Sequence, residues 1–222
     1  EILLEQHPTK KIHNIECDVV HVSNMTARFA SLERNIKSLE VAIYKTKNKD
    51  IRYIYYLAKC LYDTQKHDGV VRELLCEFLL GKNASRWVEE RAQAWNYIAE
   101  IDIRNKEYDK AIKSLMNGLI DNPQRKDVYI SLATAYMYKQ DWNRALFWVS
   151  IGNLLPEKST LLFTTPRDNA LKTMQIVCNC FFNMQQYKEF REAYRKLMDE
   201  FPNYEFKIYR PSILPLDKNQ MV

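Results

Sequence analysis

A chain of 222 residues with 46% hydrophobic content is long enough to bury a substantial core and is not a disordered polypeptide. Four glycines and seven prolines are too few for the turns of a β-sandwich or barrel, so long helices joined by short loops are expected. The charge of +5 comes from 33 Lys and Arg interleaved with 28 Asp and Glu, the pattern of solvated helix faces rather than of a nucleic-acid stripe, and no apolar run approaches the ~20 residues that span a bilayer.

Residues 10–21, KKIHNIECDVVH, are the first element. Richness in Ile and Val predicts a strand within a β-like extension over residues 1–27. On one straight strand His13, Cys17 and His21 share a face, but at ~3.3 Å per residue the two histidines lie ~26 Å apart, too far to ligate one metal. A lone strand leaves its N–H and C=O groups unpaired, so this one belongs with another chain or with an upstream domain. The chain begins at Glu1 rather than Met, which is read as a mark of further sequence upstream.

Residues 28–47 follow as a linking helix, in which Phe29, Leu32, Ile36, Leu39 and Ile43 recur at three and four positions. Over residues 48–203 the chain repeats itself. The unit from Ala92 places Trp95, Ile98 and Ala99 on one helix, Tyr108, Ala111, Leu115 and Gly118 on a second, and Pro123 at the end. Thirty-four residues on come Tyr129, Leu132, Ala133, Tyr136, Trp142, Ala145, Val149 and Gly152, closed by Pro156. Outer copies align Leu57, Ala58, Val70 and Leu74 on one side and Met174, Val177, Cys178, Phe181, Tyr187, Tyr194 and Pro202 on the other, with Phe190 where the pattern has Ala. This pattern of aromatic, Leu-small, aromatic, Ala, small and Pro resembles the tetratricopeptide repeat. The resemblance implies an all-α, tetratricopeptide-like α-solenoid of about four helix pairs. The small residues Ala58, Ala99, Ala133 and Cys178 stand where the helices of a pair approach closely. Residues 204–222 contain Pro211 and Pro215 and are predicted to be an extended tail, laid on the last helices or acting as a linker.

Five dispersed cysteines, Cys17, Cys60, Cys76, Cys178 and Cys180, are expected to be reduced core residues of a cytoplasmic protein; Cys178 and Cys180, two apart, point to different sides of a helix. No Gly-rich phosphate loop occurs, and no base stands at a suggestive spacing from a Ser or Cys nucleophile. Glu89, Glu90 and Arg91 read as an ion-paired charged face, and His7 and His67 as solvated.

The inner face of the first helix of each pair is the candidate partner groove. It presents Arg52, Tyr55, Lys59 and Tyr62, then Asn96, Glu100 and Arg104, then Thr134, Met137 and Tyr138, then Asn179, Phe182 and Asn183. Tyrosines and asparagines with a few cations suit a polar ligand or another protein.

A second likeness runs through Ile12, His13 and Asn14, then Asp18 to His21, then Arg34, Asn35, Leu39 and Glu40, and into YYLAK at residues 55–59. It resembles the C-terminal part of family 2 glycosyltransferases that carry tetratricopeptide-like repeats behind a GT-A catalytic domain. The resemblance implies that His13 lines the acceptor side of a catalytic site and that His21 reaches a divalent cation or the diphosphate of a nucleotide sugar. Asn14 replaces an acidic residue of that pattern, and neither a DxD-type carboxylate pair nor an acidic base is present, so the chain itself is expected to hold no cofactor and to turn over no sugar nucleotide. Cation and donor would belong to an upstream catalytic domain. The leading expectation is therefore an accessory helical module that positions a protein or glycan acceptor or mediates self-association. The alternative is a free-standing adaptor or assembly component that binds protein partners.

Overall fold

A computed structural model describes residues 25–46, 50–156 and 166–209, without side-chain detail for 25–28 and 166–167. Every regular element among the described residues is helical. Residues 1–24 of the expected β-like extension, with His7, His13, Cys17 and His21, lie outside them, and residues 25–27, expected to belong to it, are the first turn of a helix.

After α1 (Met25–Thr46), the helices come in pairs: α2 (Ile51–Thr64) with α3 (Asp68–Leu80), α4 (Val88–Arg104) with α5 (Tyr108–Asp121), α6 (Lys126–Tyr138) with α7 (Trp142–Leu154), and α8 (Pro166–Asn183) with α9 (Tyr187–Glu200). The chain is a tetratricopeptide-like α-solenoid, with four pairs among the described residues. Within each pair the two helices pack on one another, and α2, α4, α6 and α8 also touch in succession to form an inner row.

Ala58, Ala99, Ala133 and Cys178 are each 0% exposed, as close helix contact demands. Gly118 faces Trp95 within the second pair and Gly152 faces Tyr129 within the third. Helices α5, α7 and α9 each stop two residues before a proline, Pro123, Pro156 and Pro202, whose ring and missing N–H prevent a further turn.

Each turn inside a pair holds one residue in the left-handed region: Gln65 at φ 55°, Lys106 at 61°, Gln140 at 65° and Gln185 at 61°. In the last three turns a second bond reaches back, from Glu107 N–H to Asp102 C=O at 2.8 Å, from Asp141 to Tyr136 at 2.9 Å and from Gln186 to Phe181 at 2.9 Å. This is the geometry that closes a helix through a left-handed residue.

The structure corrects the alignment of the first pair. Val71 and Leu75 are fully buried, whereas Val70 is exposed. Helix α3 begins three positions after the left-handed Gln65, whereas α5 begins two positions after the left-handed Lys106, which shifts the apolar face of α3 by one position. On α1, Leu32, Ile36, Leu39 and Ile43 are half-buried and Phe29 is exposed.

Asp102 occupies a position that the repeat pattern gives to a large packing side chain. It is 0% exposed and accepts a hydrogen bond from Arg72 of the preceding pair. Arg91 likewise reaches Asp121 at 3.0 Å and the Leu79 carbonyl at 2.8 Å, while Glu90, 4% exposed, pairs with Arg52 at 3.7 Å. The expected ion pairs of this stretch thus run between helices at buried or half-buried positions rather than along one solvated face.

Candidate functional site: the concave groove

The inner row of helices encloses an open groove of about 750 Å³. Of the thirteen residues expected to line it, Tyr62, Asn96, Glu100, Arg104, Thr134, Met137, Tyr138 and Asn179 do so, and Asn183 stands just outside the lining. Tyr55 and Lys59 do not. Tyr55 stands one turn before Ala58, as Asn96 stands before Ala99, but its longer ring passes beneath the groove to pack on Phe78 at 5.2 Å, and it is fully buried. Lys59 is half-buried outside the lining. Arg52 stacks on Trp87 at 4.0 Å, and Phe182 packs on Phe190 at 5.3 Å, so these two also leave the groove face.

At the α2 end, the Tyr62 hydroxyl donates to the Glu100 carboxylate and its ring lies 4.3 Å from that of Tyr97. Burial, reinforced by Glu100, pushes the Tyr62 phenol well above its ordinary value, so it remains a neutral donor. Arg104 bonds Asp68 at 2.7 Å and lies 5.1 Å over the Tyr62 ring.

At the centre, Asn96 is 4% exposed and its Oδ1 has no hydrogen-bond partner. The Thr134 hydroxyl donates back to the Ile130 carbonyl at 2.8 Å. Gln93, Asp127 and Lys172 extend the lining one turn earlier on α4, α6 and α8. The repeat frame already contained these three, because each precedes a lining residue (Asn96, Ile130 and Gln175) by three positions.

At the α8 end the groove is lined partly by the chain's own Tyr204, Lys207, Ile208 and Tyr209. Tyr209 N–H donates to Asn179 Oδ1, Asn183 Nδ2 donates to the Tyr209 carbonyl at 2.9 Å, and Gln175 donates to the Tyr204 hydroxyl. The Tyr209 ring meets Tyr138 edge-on at 4.9 Å, and Tyr138 stacks on Tyr108 at 6.1 Å. Nothing in the composition of residues 204–209 marked them as groove lining; only their neighbourhood in space does.

Among the described residues no group of three His, Cys, Asp or Glu side chains is gathered as metal ligands, and no helix is long and apolar enough to cross a membrane. The groove offers aromatic faces, amides and charges of both signs, which is recognition chemistry.

No family model and no curated protein matches the chain. Solved structures do resemble it. A crystal structure of MamA shares 14% identity over 82% of this chain and 96% of that one, with a TM-score of 0.61. A MamA RS-1 double mutant shares 16% identity over 80% and 89%, with a TM-score of 0.59. PilF of Pseudomonas aeruginosa shares 12% identity over 82% and 78%, with a TM-score of 0.54. At such identities the likeness establishes the helical-repeat fold.

Proposed function

We propose that the chain is a protein-interaction module whose concave row of helices receives an extended segment of a partner polypeptide. The reading rests on Asn96. A buried amide oxygen without a partner is costly, and here it lies on the wall of a groove bordered by Tyr62, Glu100, Thr134 and Tyr138. A turn of the amide toward the groove would let a backbone N–H of a bound segment satisfy it, and the tyrosines supply contact area at low entropic cost. Four free cysteines among the described residues support a reducing, cytoplasmic setting.

Selection of random linear peptides displayed on phage tests this reading. Enriched sequences are expected to bind the full chain at micromolar concentration and to lose at least about tenfold in affinity, roughly one lost hydrogen bond, on Asn96→Leu. If nothing is enriched over a chain whose groove is filled by Thr134→Trp, the groove is not a peptide site.

A second reading rests on the resemblance of residues 12–40 and the YYLAK stretch to family 2 glycosyltransferases. In it the module accompanies a catalytic domain, the groove takes a glycan acceptor or the module self-associates, His13 faces the acceptor, and His21 reaches a cation or donor diphosphate. Aromatic faces beside amides suit a sugar as they suit a peptide. Oligosaccharides that shift groove resonances in NMR titrations, or a mass that doubles with concentration, would favour it; silence in both would remove it.

A further inference from the structure

The α8 end of the groove already holds a segment of chain, and the manner of holding is specific. Asn179 and Asn183 stand one turn apart on α8, and each donates from Nδ2 to the carbonyl four residues earlier, Gln175 and Asn179 respectively, both at 2.8 Å. These bonds fix the plane of each amide. Asn179 is left presenting Oδ1, which accepts from Tyr209 N–H, and Asn183 has a second Nδ2 hydrogen, which it gives to the Tyr209 carbonyl. One acceptor and one donor a turn apart therefore read both backbone groups of a single residue, whatever its side chain. The side chain is read separately, by the edge-on contact of the Tyr209 ring with Tyr138.

The segment is anchored unevenly. Tyr204 and Phe206 belong to the cluster around Cys178, Leu197 and Phe201, with Phe206 also 5.7 Å from Tyr194. Beyond Phe206, the described hydrogen bonds and ring contacts of the segment are the two Tyr209 backbone bonds and the Tyr209 ring contact, with Ile208 half-buried beside them. Two net hydrogen bonds and one ring contact set against the ordering of residues 207–209 make a nearly even balance, so this end can be exchanged without disturbing the core.

We infer that residues 207–209 are a built-in, displaceable occupant of a backbone-reading subsite formed by Asn179, Asn183 and Tyr138, and that the partner segment replacing them is extended and places an aromatic side chain on Tyr138. The inference rests on the groove reading above and names the anchor of the partner. A tethered occupant competes at high effective concentration, so it weakens partner binding until released.

The test uses the full chain and, as probe, a fluorescent synthetic peptide of residues 205–211. Tyr209→Pro removes the donated N–H and the ring from the tail and leaves Asn179, Asn183 and Tyr138 unchanged. The peptide is expected to bind Tyr209→Pro at least about tenfold more tightly than the unchanged protein, to lose that gain when Asn183→Ala is added, and to bind less well when its own Tyr209 is replaced by Ala. Tyr209→Ala, which keeps the backbone bonds, should show a smaller gain and guards against a local effect of proline. Equal binding to both proteins, or none to either, overturns the proposal. Library peptides that depend on Asn96 but bind Tyr209→Pro no better than the unchanged protein would sustain the groove and refute the tail as competitor. Tail-peptide binding through Asn183 with no library sequence sensitive to Asn96 would do the reverse.

Discussion

A β-carbon on Gly152 would stand 3.1 Å from the β-carbon of Tyr129, and one on Gly118 would stand 3.3 Å from that of Trp95. The same close approach therefore recurs in the two central pairs, where a glycine on the second helix lets the aromatic residue of the first lie against its backbone. Gly152→Ala is expected to be near neutral, because about 1 kcal/mol of helix propensity offsets an adjustment of a few tenths of an ångström. Gly152→Leu drives a side chain into Tyr129 and should cost about 1–3 kcal/mol by urea denaturation. A Leu variant as stable as the parent would mean the helices do not meet here.

Arg72 and Asp102 link the first two pairs unequally. The arginine side chain is 35% exposed and the aspartate side chain 1% exposed. Arg72→Met strands a buried carboxylate and should cost about 3 kcal/mol, whereas Asp102→Leu leaves an arginine that water can reach and should cost under about 1 kcal/mol. Equal costs for the two variants would show that burial of the acid does not govern the pair.

What could be read in the sequence and what could not divide along physical lines. Ala99, Ala133, Gly118 and the closing prolines answer to local constraints, close backbone approach and a missing N–H, so their spacing exposes the solenoid and its inner face. Asp102 was hidden because its partner is thirty positions away and a buried acid breaks the apolar pattern. Tyr55 misled because it shares a repeat position with Asn96, and only ring length sends it beneath the groove. The placement of Tyr209 depends on two asparagine amides whose aim is set by bonds to their own helix, which no periodicity reveals. The expectation that all five cysteines are core residues holds for Cys178 and Cys180, which face different clusters, but Cys76 is exposed on the outer surface of α3 and Cys60 is half-buried, while Cys17 lies outside the described residues.

The left-handed turn residues offer a stabilising change. Gln140, exposed at φ 65°, carries a β-carbon where an L-residue loses about 1–2 kcal/mol and glycine loses none. Part of the gain is returned through the greater freedom of glycine in the unfolded chain, about 0.5–1 kcal/mol, so Gln140→Gly should stabilise by about 0.5–1 kcal/mol. Gln140→Val should destabilise, since a branched β-carbon fits that region worse. Calorimetry on the two variants should move the melting temperature in opposite directions, and a shared direction would refute the turn geometry.

The cysteines separate accessibility from acidity. Desolvation pushes the Cys178 and Cys180 thiols up to about 12, and burial followed by the nearby Asp63 raises Cys60 less, while Cys76 is exposed. Thiolate is the reactive form, so iodoacetamide at pH 8 should modify Cys76 first, Cys60 more slowly, and Cys178 and Cys180 only as fast as the chain unfolds, read site by site by mass spectrometry. The same shift sets a stability window. An unfolded thiol ionises near 9.0 while the folded one holds its proton to about 12, so the folded state is favoured fully below pH 9 and loses ground as pH rises from there. The urea midpoint should accordingly fall between pH 8 and pH 10.5, and fall less steeply in Cys178→Ala. Buried Tyr55, Tyr62 and Tyr97, all raised chiefly by desolvation, deepen the loss above pH 10. A midpoint that is flat across this range, or rapid labelling of Cys180 in the folded protein, would place these helices in contact with water instead of with one another.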